Sequence, residues 1–137
     1  MKKVLRVWQI RSQELRTTDQ ARNIRCMGAE VFTPADIIYY TPVCNMHIEE
    51  SAVISDSYLE TAFHLHNHPG GTAYEDGTVE LLRPKLEGGW NDMHSMSVGD
   101  IVEMDNKFYM VDPFGFEEIE LPTRFLKMLE EGVFENA

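Results

Sequence analysis

The segment KVLRVWQI near the start of the chain is rich in β-branched and aromatic residues and is closed by polar RSQ, which predicts a first strand over Val4–Ile10. The period then changes. In TTDQARNIRCMG, Ala21, Ile24 and Met27 recur three apart and share one helix face, Thr17 followed by Gln20 forms a capping box, and Gly28 marks the stop. DIIYY lies between Pro34 and Pro42 and predicts a short strand that Pro42 ends. SYLETAFHLHN returns to helical spacing, with Ser57 and Glu60 as a second capping box and Leu59, Ala62, Phe63 and His66 on one face. Pro69 cannot continue that helix, so its last turn carries the histidines.

From Gly70 to Asn91 the pattern is lost in a polar, turn-rich excursion, with one short turn of helix or strand at TVELL. Alternation resumes in DIVEM and KFYMVD, which flank Asp105-Asn106, a dipeptide suited to a hairpin turn. FEEIEL supplies a third strand after PFG, and the expected buried positions are Val98, Ile101, Phe108, Met110 and Phe116. TRFLKMLEEG predicts a closing helix, with Thr123 as cap, Leu126 and Leu129 inward and Gly132 at the stop. The order of elements predicts an α+β fold: a small antiparallel sheet with a C-terminal hairpin or meander, packed against two or three helices. There is no repeat or linker, so residues 1–137 form one domain.

Composition narrows the class. A 137-residue chain that is 43% apolar and 10% aromatic can bury a core without staples. Its apolar runs are too short to span a bilayer, and Arg6, Gln9 and Arg11 interrupt what would be a leader's apolar stretch, so the expected location is cytoplasmic. Cys26 and Cys44, 18 residues apart, form no metal-type pair and are expected to be buried small hydrophobes. The net charge of −11 is uneven: residues 1–25 hold seven basic residues against Glu14 and Asp19, and the rest hold five basic against 21 acidic. Such a surface repels phosphate backbones and favours encounter with a basic protein, including one that itself grips nucleic acid.

The densest chemistry lies in FHLHNHPGG, where His64, His66 and His68 occupy five residues. His64 and His68 have the i, i+4 spacing of a zinc-protease helix, but Leu65 stands where that motif needs a glutamate. HNHPGG also resembles the histidine segment of JAMM-type zinc hydrolases. In that pattern the serine position falls on Asp76 and the aspartate position on Val79, with Glu80 one place late. A metal held by the histidines with Glu75 or Asp76 is the other option on ligand chemistry alone. The reading favoured by local signals is a helix end, where the dipole tolerates a cationic side chain. It assigns no catalytic residue, metal or cofactor; a metal-dependent hydrolase using His64, His66 and His68, or a purely structural subunit, is the alternative. No nucleophile elbow or phosphate-binding glycine loop is present, and Asp100, Asp105 and Asp112, which could be imagined as a cation cluster, are read as structural because two of the three sit where turns want aspartate.

The most specific stretch is HSMSVGDIVEMDNKFYMVDPFGFEEIEL, residues 94–121. Gly99 permits a tight turn into the strand and Asp100 can bond back onto it. Ser95-Met96-Ser97-Val98-Gly99-Asp100, then Phe108-Tyr109, then Phe114-Gly115-Phe116 resemble the hallmark of the YodL-like family of phage, mobile-element and bacterial proteins. Upstream, VWQI looks like that family's opening strand, DIIYYTP like its middle strand, and LETAFHLHN like its helix, with Asn67 at the family's asparagine position. The resemblance implies a compact α+β domain and brings no catalytic residue or cofactor. It departs at residues 70–92, an inserted loop where the family has a shorter connection.

These readings converge on a non-enzymatic phage or mobile-element accessory protein that binds a host protein and modulates it. Inhibition of a defence or nucleic-acid-handling complex is the pointed version. No direct nucleic-acid or membrane partner is expected. The expected partner surface is the insertion, with Tyr74 and Trp90 as aromatic anchors and Glu75, Asp76, Glu80, Glu87 and Asp92 steering a basic target; the acidic strand FEEIEL is the fallback.

Overall fold

A computed structural model describes residues 2–10, 18–67, 77–82, 95–122 and 127. Six antiparallel strands form one sheet: β1 (Lys2–Ile10), β2 (Tyr40–Glu49), β3 (Val79–Leu81), β4 (Ile101–Met104), β5 (Lys107–Asp112) and β6 (Gly115–Ile119). Their order across the sheet is β3-β2-β1-β4-β5-β6. The first strand of the chain is therefore central, and its partner β4 comes from the C-terminal meander. The fold is the expected small α+β domain.

Side chains alternate across β1, so each sheet face has its own core. Leu5 and Val7 join Met46, Val102, Val111 and Met96 in one cluster. Trp8 and Ile10 join Ile24, Ile37, Ile101 and Met110 in the other. Helix α2 (Tyr58–Asn67) brings Ala62 to the first cluster, and α1 (Asp19–Met27) brings Ala21 and Ile24 to the second. Full burial of such side chains stabilises by roughly 1.5–3 kcal/mol each. Trp8 is fully buried and its indole N–H donates to Glu103 at 3.1 Å, so its one polar group has a partner. No helix of the described residues is long and apolar enough to cross a membrane.

Several local signals act as expected. Asp105 and Asn106 have φ of 53° and 64°, the paired positive values of a type I′ hairpin. Gly28 ends α1 at φ 70°, with its N–H returned to the Ile24 carbonyl. Ser57 Oγ accepts from the Glu60 amide at 3.2 Å. The return arm of that capping box is replaced, because the Ser57 amide already donates to the Ile54 carbonyl at 3.0 Å.

Four expectations change. The cap of α1 is Thr18, whose Oγ1 accepts from Ala21 at 3.3 Å; Gln20 instead donates to Val31 O at 3.0 Å and Asp36 at 2.9 Å. Residues Pro34–Tyr39 form a 3-10 helix rather than a strand, because Asp36 closes on the Thr33 amide at 2.8 Å and Pro34 fits the first turn. Pro42 does not end a strand: it lies inside β2 at an irregularity where Val7 pairs with Cys44 and Trp8 with Pro42, and a bulge dispenses with its missing N–H. Cys44 is buried, but Cys26 is exposed on the outer side of α1, as is Met27 beside it. Of the expected core, Ile101 and Met110 are buried while Val98, Phe108 and Phe116 are half-buried. TVELL contributes β3. Thr17 itself and the closing helix at 123–132 lie outside the described residues but for Lys127.

Candidate functional site

The histidines do not form one face. His64 is exposed near the end of α2, whereas His66 is buried with 6% of its surface accessible; His68 lies outside the described residues. His66 Nδ1 is 3.2 Å from Asn67 Oδ1. Asn67 in turn donates through Nδ2 to the Met96 carbonyl at 2.8 Å and accepts the Met96 amide on Oδ1 at 2.6 Å. That two-point contact fixes the amide orientation, so Nδ1 of His66 carries the proton and donates. His66 Nε2 is buried without a hydrogen-bond partner among the described residues. Burial lowers the His66 pKa, against a smaller upward pull from Asn67. The dipole at the helix end tolerates a cation, but at His66 desolvation outweighs it and favours the neutral ring. Among the described residues no group of three His, Cys, Asp or Glu side chains is placed to hold a metal ion.

The loop that Asn67 clasps is the 95–100 run. Asp100, 3% accessible, accepts from the Ser97 amide and from Gln9 Nε2, both at 3.0 Å, and its own amide returns to the Ser97 carbonyl at 3.0 Å. Tyr40 Oη donates to the Gly99 carbonyl. Gly99 sits at φ 96°, and a Cβ there would press on Ile24 at 3.1 Å. Asp112 Oδ1 accepts from the Ala29 amide at 2.8 Å, and Asp105 pairs with Lys3 at 2.7 Å. The three aspartates therefore hold turns and strand ends to the rest of the fold.

Beyond the clasped loop, between α2 and the β5–β6 turn, lies an apolar cleft of about 580 Å³ lined by Ile54, Phe63, Met96, Val98, Pro113 and Phe116. The Phe63 and Phe116 rings meet edge to face at 6.5 Å between centroids. Phe114, at the tip of the turn, is fully exposed. Glu60 and Asp112 also line the cleft, and β6 continues from it with exposed Glu117 and Glu118. The arrangement is an apolar recess with an acidic border.

Of the expected partner residues, only Glu80 is described; Tyr74, Glu75, Asp76, Glu87, Trp90 and Asp92 lie outside the described residues. Glu80 is exposed on β3, where it meets His47 Nε2 at 2.9 Å and Asn45 Nδ2 at 3.3 Å. Those hydrogen bonds, His47 first, lower its pKa. Arg6 Nε donates to Asn45 at 3.0 Å, which extends a polar chain across three strands. Sequence reasoning missed His47 because its partner stands 33 residues away and only the β2–β3 register joins them. It also missed the cleft, whose walls come from α2, the 95–100 loop and the meander. Comparison with protein-family models, curated proteins and solved structures finds no match to this chain.

Proposed function

We propose that this protein is a non-enzymatic accessory protein of a phage or other mobile element, resembling the YodL-like family, that binds a basic host protein and modulates it, most pointedly by inhibition. The single observation that carries this reading is the junction of the apolar cleft with the acidic edge strand. Exposed Phe114 and Phe63 and half-buried Phe116 are gathered where β6 begins, and Glu117 and Glu118 follow at once. Large exposed aromatics beside a charged rim are the composition of a recognition surface: the rings supply desolvated anchors and the carboxylates steer encounter. The net charge of −11 extends the same preference to the whole chain.

The test is retention from a bacterial host lysate on immobilised protein, with Glu117→Lys/Glu118→Lys as the paired control. The expected result is one host protein held by the parent, released by moderate salt and lost in the reversed variant, followed by a measured effect on that protein's activity. Retention of nothing beyond what a denatured control holds overturns the reading.

A further inference from the structure

Strand β6 is the outer strand of the sheet: β5 pairs one side of it, and among the described residues no strand pairs the other. An open edge presents unpaired N–H and C=O groups and can accept an added strand. Its side chains have a definite order. Phe116 pairs with Val111 and Glu118 with Tyr109 on the α2 side, while Glu117 pairs with Met110 and Ile119 with Phe108 on the α1 side. The edge therefore reads aromatic, acidic, acidic, aliphatic from Phe116 to Ile119.

Resting on the binding function proposed above, we propose that the outer edge of β6 takes an extended segment of the partner as a seventh strand, with the complementary pattern apolar–basic–basic–apolar. A residue placed opposite Phe116 projects to the α2 side and enters the cleft beside Phe63 and Phe116. The two basic residues then lie opposite Glu117 and Glu118, and the last apolar residue lies beside half-buried Ile119. The pattern is the same read in either direction, so it serves a parallel or an antiparallel addition. A second copy of this chain is the wrong occupant: edge-to-edge pairing of two β6 strands sets glutamates against glutamates, which is how natural edges refuse their own kind. Lys107 lies 3.7 Å from Glu118, with both side chains exposed, a contact that an incoming cation readily displaces.

The probe is the peptide Thr-Thr-Phe-Lys-Lys-Val-Thr-Thr, with Glu-Glu in place of Lys-Lys as its counterpart, titrated against the full chain by fluorescence polarisation and by amide hydrogen exchange. The lysine peptide is expected to bind at least tenfold more tightly than the glutamate peptide and to slow exchange in β6. N-methylation of alternate peptide nitrogens is expected to weaken it at least tenfold, and Glu117→Lys/Glu118→Lys to reverse the charge preference. Equal binding of the two peptides, no binding, or indifference to N-methylation overturns the proposal; so does sedimentation showing that the chain dimerises through β6. The charge swap within the peptide needs no variant to fold. If the lysate partner is retained but the peptide fails, the edge is the wrong site and the host-binding reading stands. If the peptide binds but no partner is retained, the edge is competent and that reading fails.

Discussion

Asn67, near the end of α2, grips the backbone of Met96 at both polar groups, its Nδ2 donating to the carbonyl at 2.8 Å and its Oδ1 accepting the amide at 2.6 Å. The contact ties the helix to the loop that opens the C-terminal meander, and it fixes one wall of the cleft. Replacing Asn67 by Ala leaves two partly buried backbone groups without partners, each worth about 1–3 kcal/mol. Asn67→Ala is expected to lower stability by at least 2 kcal/mol on that scale and to speed hydrogen exchange at Met96 and Ser97. Unchanged exchange there shows that Asp100 and Tyr40 hold the loop without Asn67.

His66 makes stability depend on pH. Its folded pKa lies below the ordinary 6.5, so between the two values the unfolded chain binds a proton that the native state refuses. The neutral histidine's contribution is complete above pH 6.5 and is lost as pH falls from there through the lowered folded value. Glu80, whose pKa is also lowered from 4.5, acts only in a more acidic window. Thermal melting from pH 8 to pH 5 is expected to show a loss for the parent that His66→Gln largely removes. Parallel curves for the two proteins refute the assignment.

Gly28 and Asp112 form a tight pair. Gly28 has φ 70° and ψ −138°, and a Cβ on it would stand 2.0 Å from Asp112 Oδ1. Gly28→Ala is expected to destabilise by about 1–3 kcal/mol from backbone strain alone, with a further contribution from displacing Asp112. A double-mutant cycle with Asp112→Ala separates the two: strain persists in the double variant and the clash does not. Strict additivity of the two single effects means that the added methyl leaves Asp112 and its bond to the Ala29 amide undisturbed.

Burial ranks the hairpin positions. Met110 is fully buried between β4 and β6, so Met110→Ala is expected to cost about 2–5 kcal/mol. Phe116 is half-buried against Phe63, and Phe116→Ala is expected to cost less than Met110→Ala while still weakening any ligand of the cleft. Urea unfolding of both variants checks the order. A larger loss at Phe116 places that ring in the main core.

Where one short segment contained the whole physical cause, the sequence was enough. The Asp105-Asn106 turn, the stop at Gly28, the Ser57 cap and the alternation through DIVEM and KFYMVD depend on neighbours a few residues away, and each appears in the structure. The α+β class followed from their order, and the acidic surface from counting charges. Tertiary structure decided what depends on distant partners. Pro42 became part of a strand because β1 supplied a partner across a bulge, and DIIYY became a 3-10 helix because Asp36 was captured by Thr33 and Gln20. His66 became a neutral buried residue and His64 an exposed one although both stand on the same short helix, since only packing against the sheet distinguishes its sides. The cleft exists, and β6 is an edge strand among the described residues, only because the chain's first strand took the centre of the sheet and sent the meander outward, a choice of pairing over about a hundred residues that no local pattern encodes.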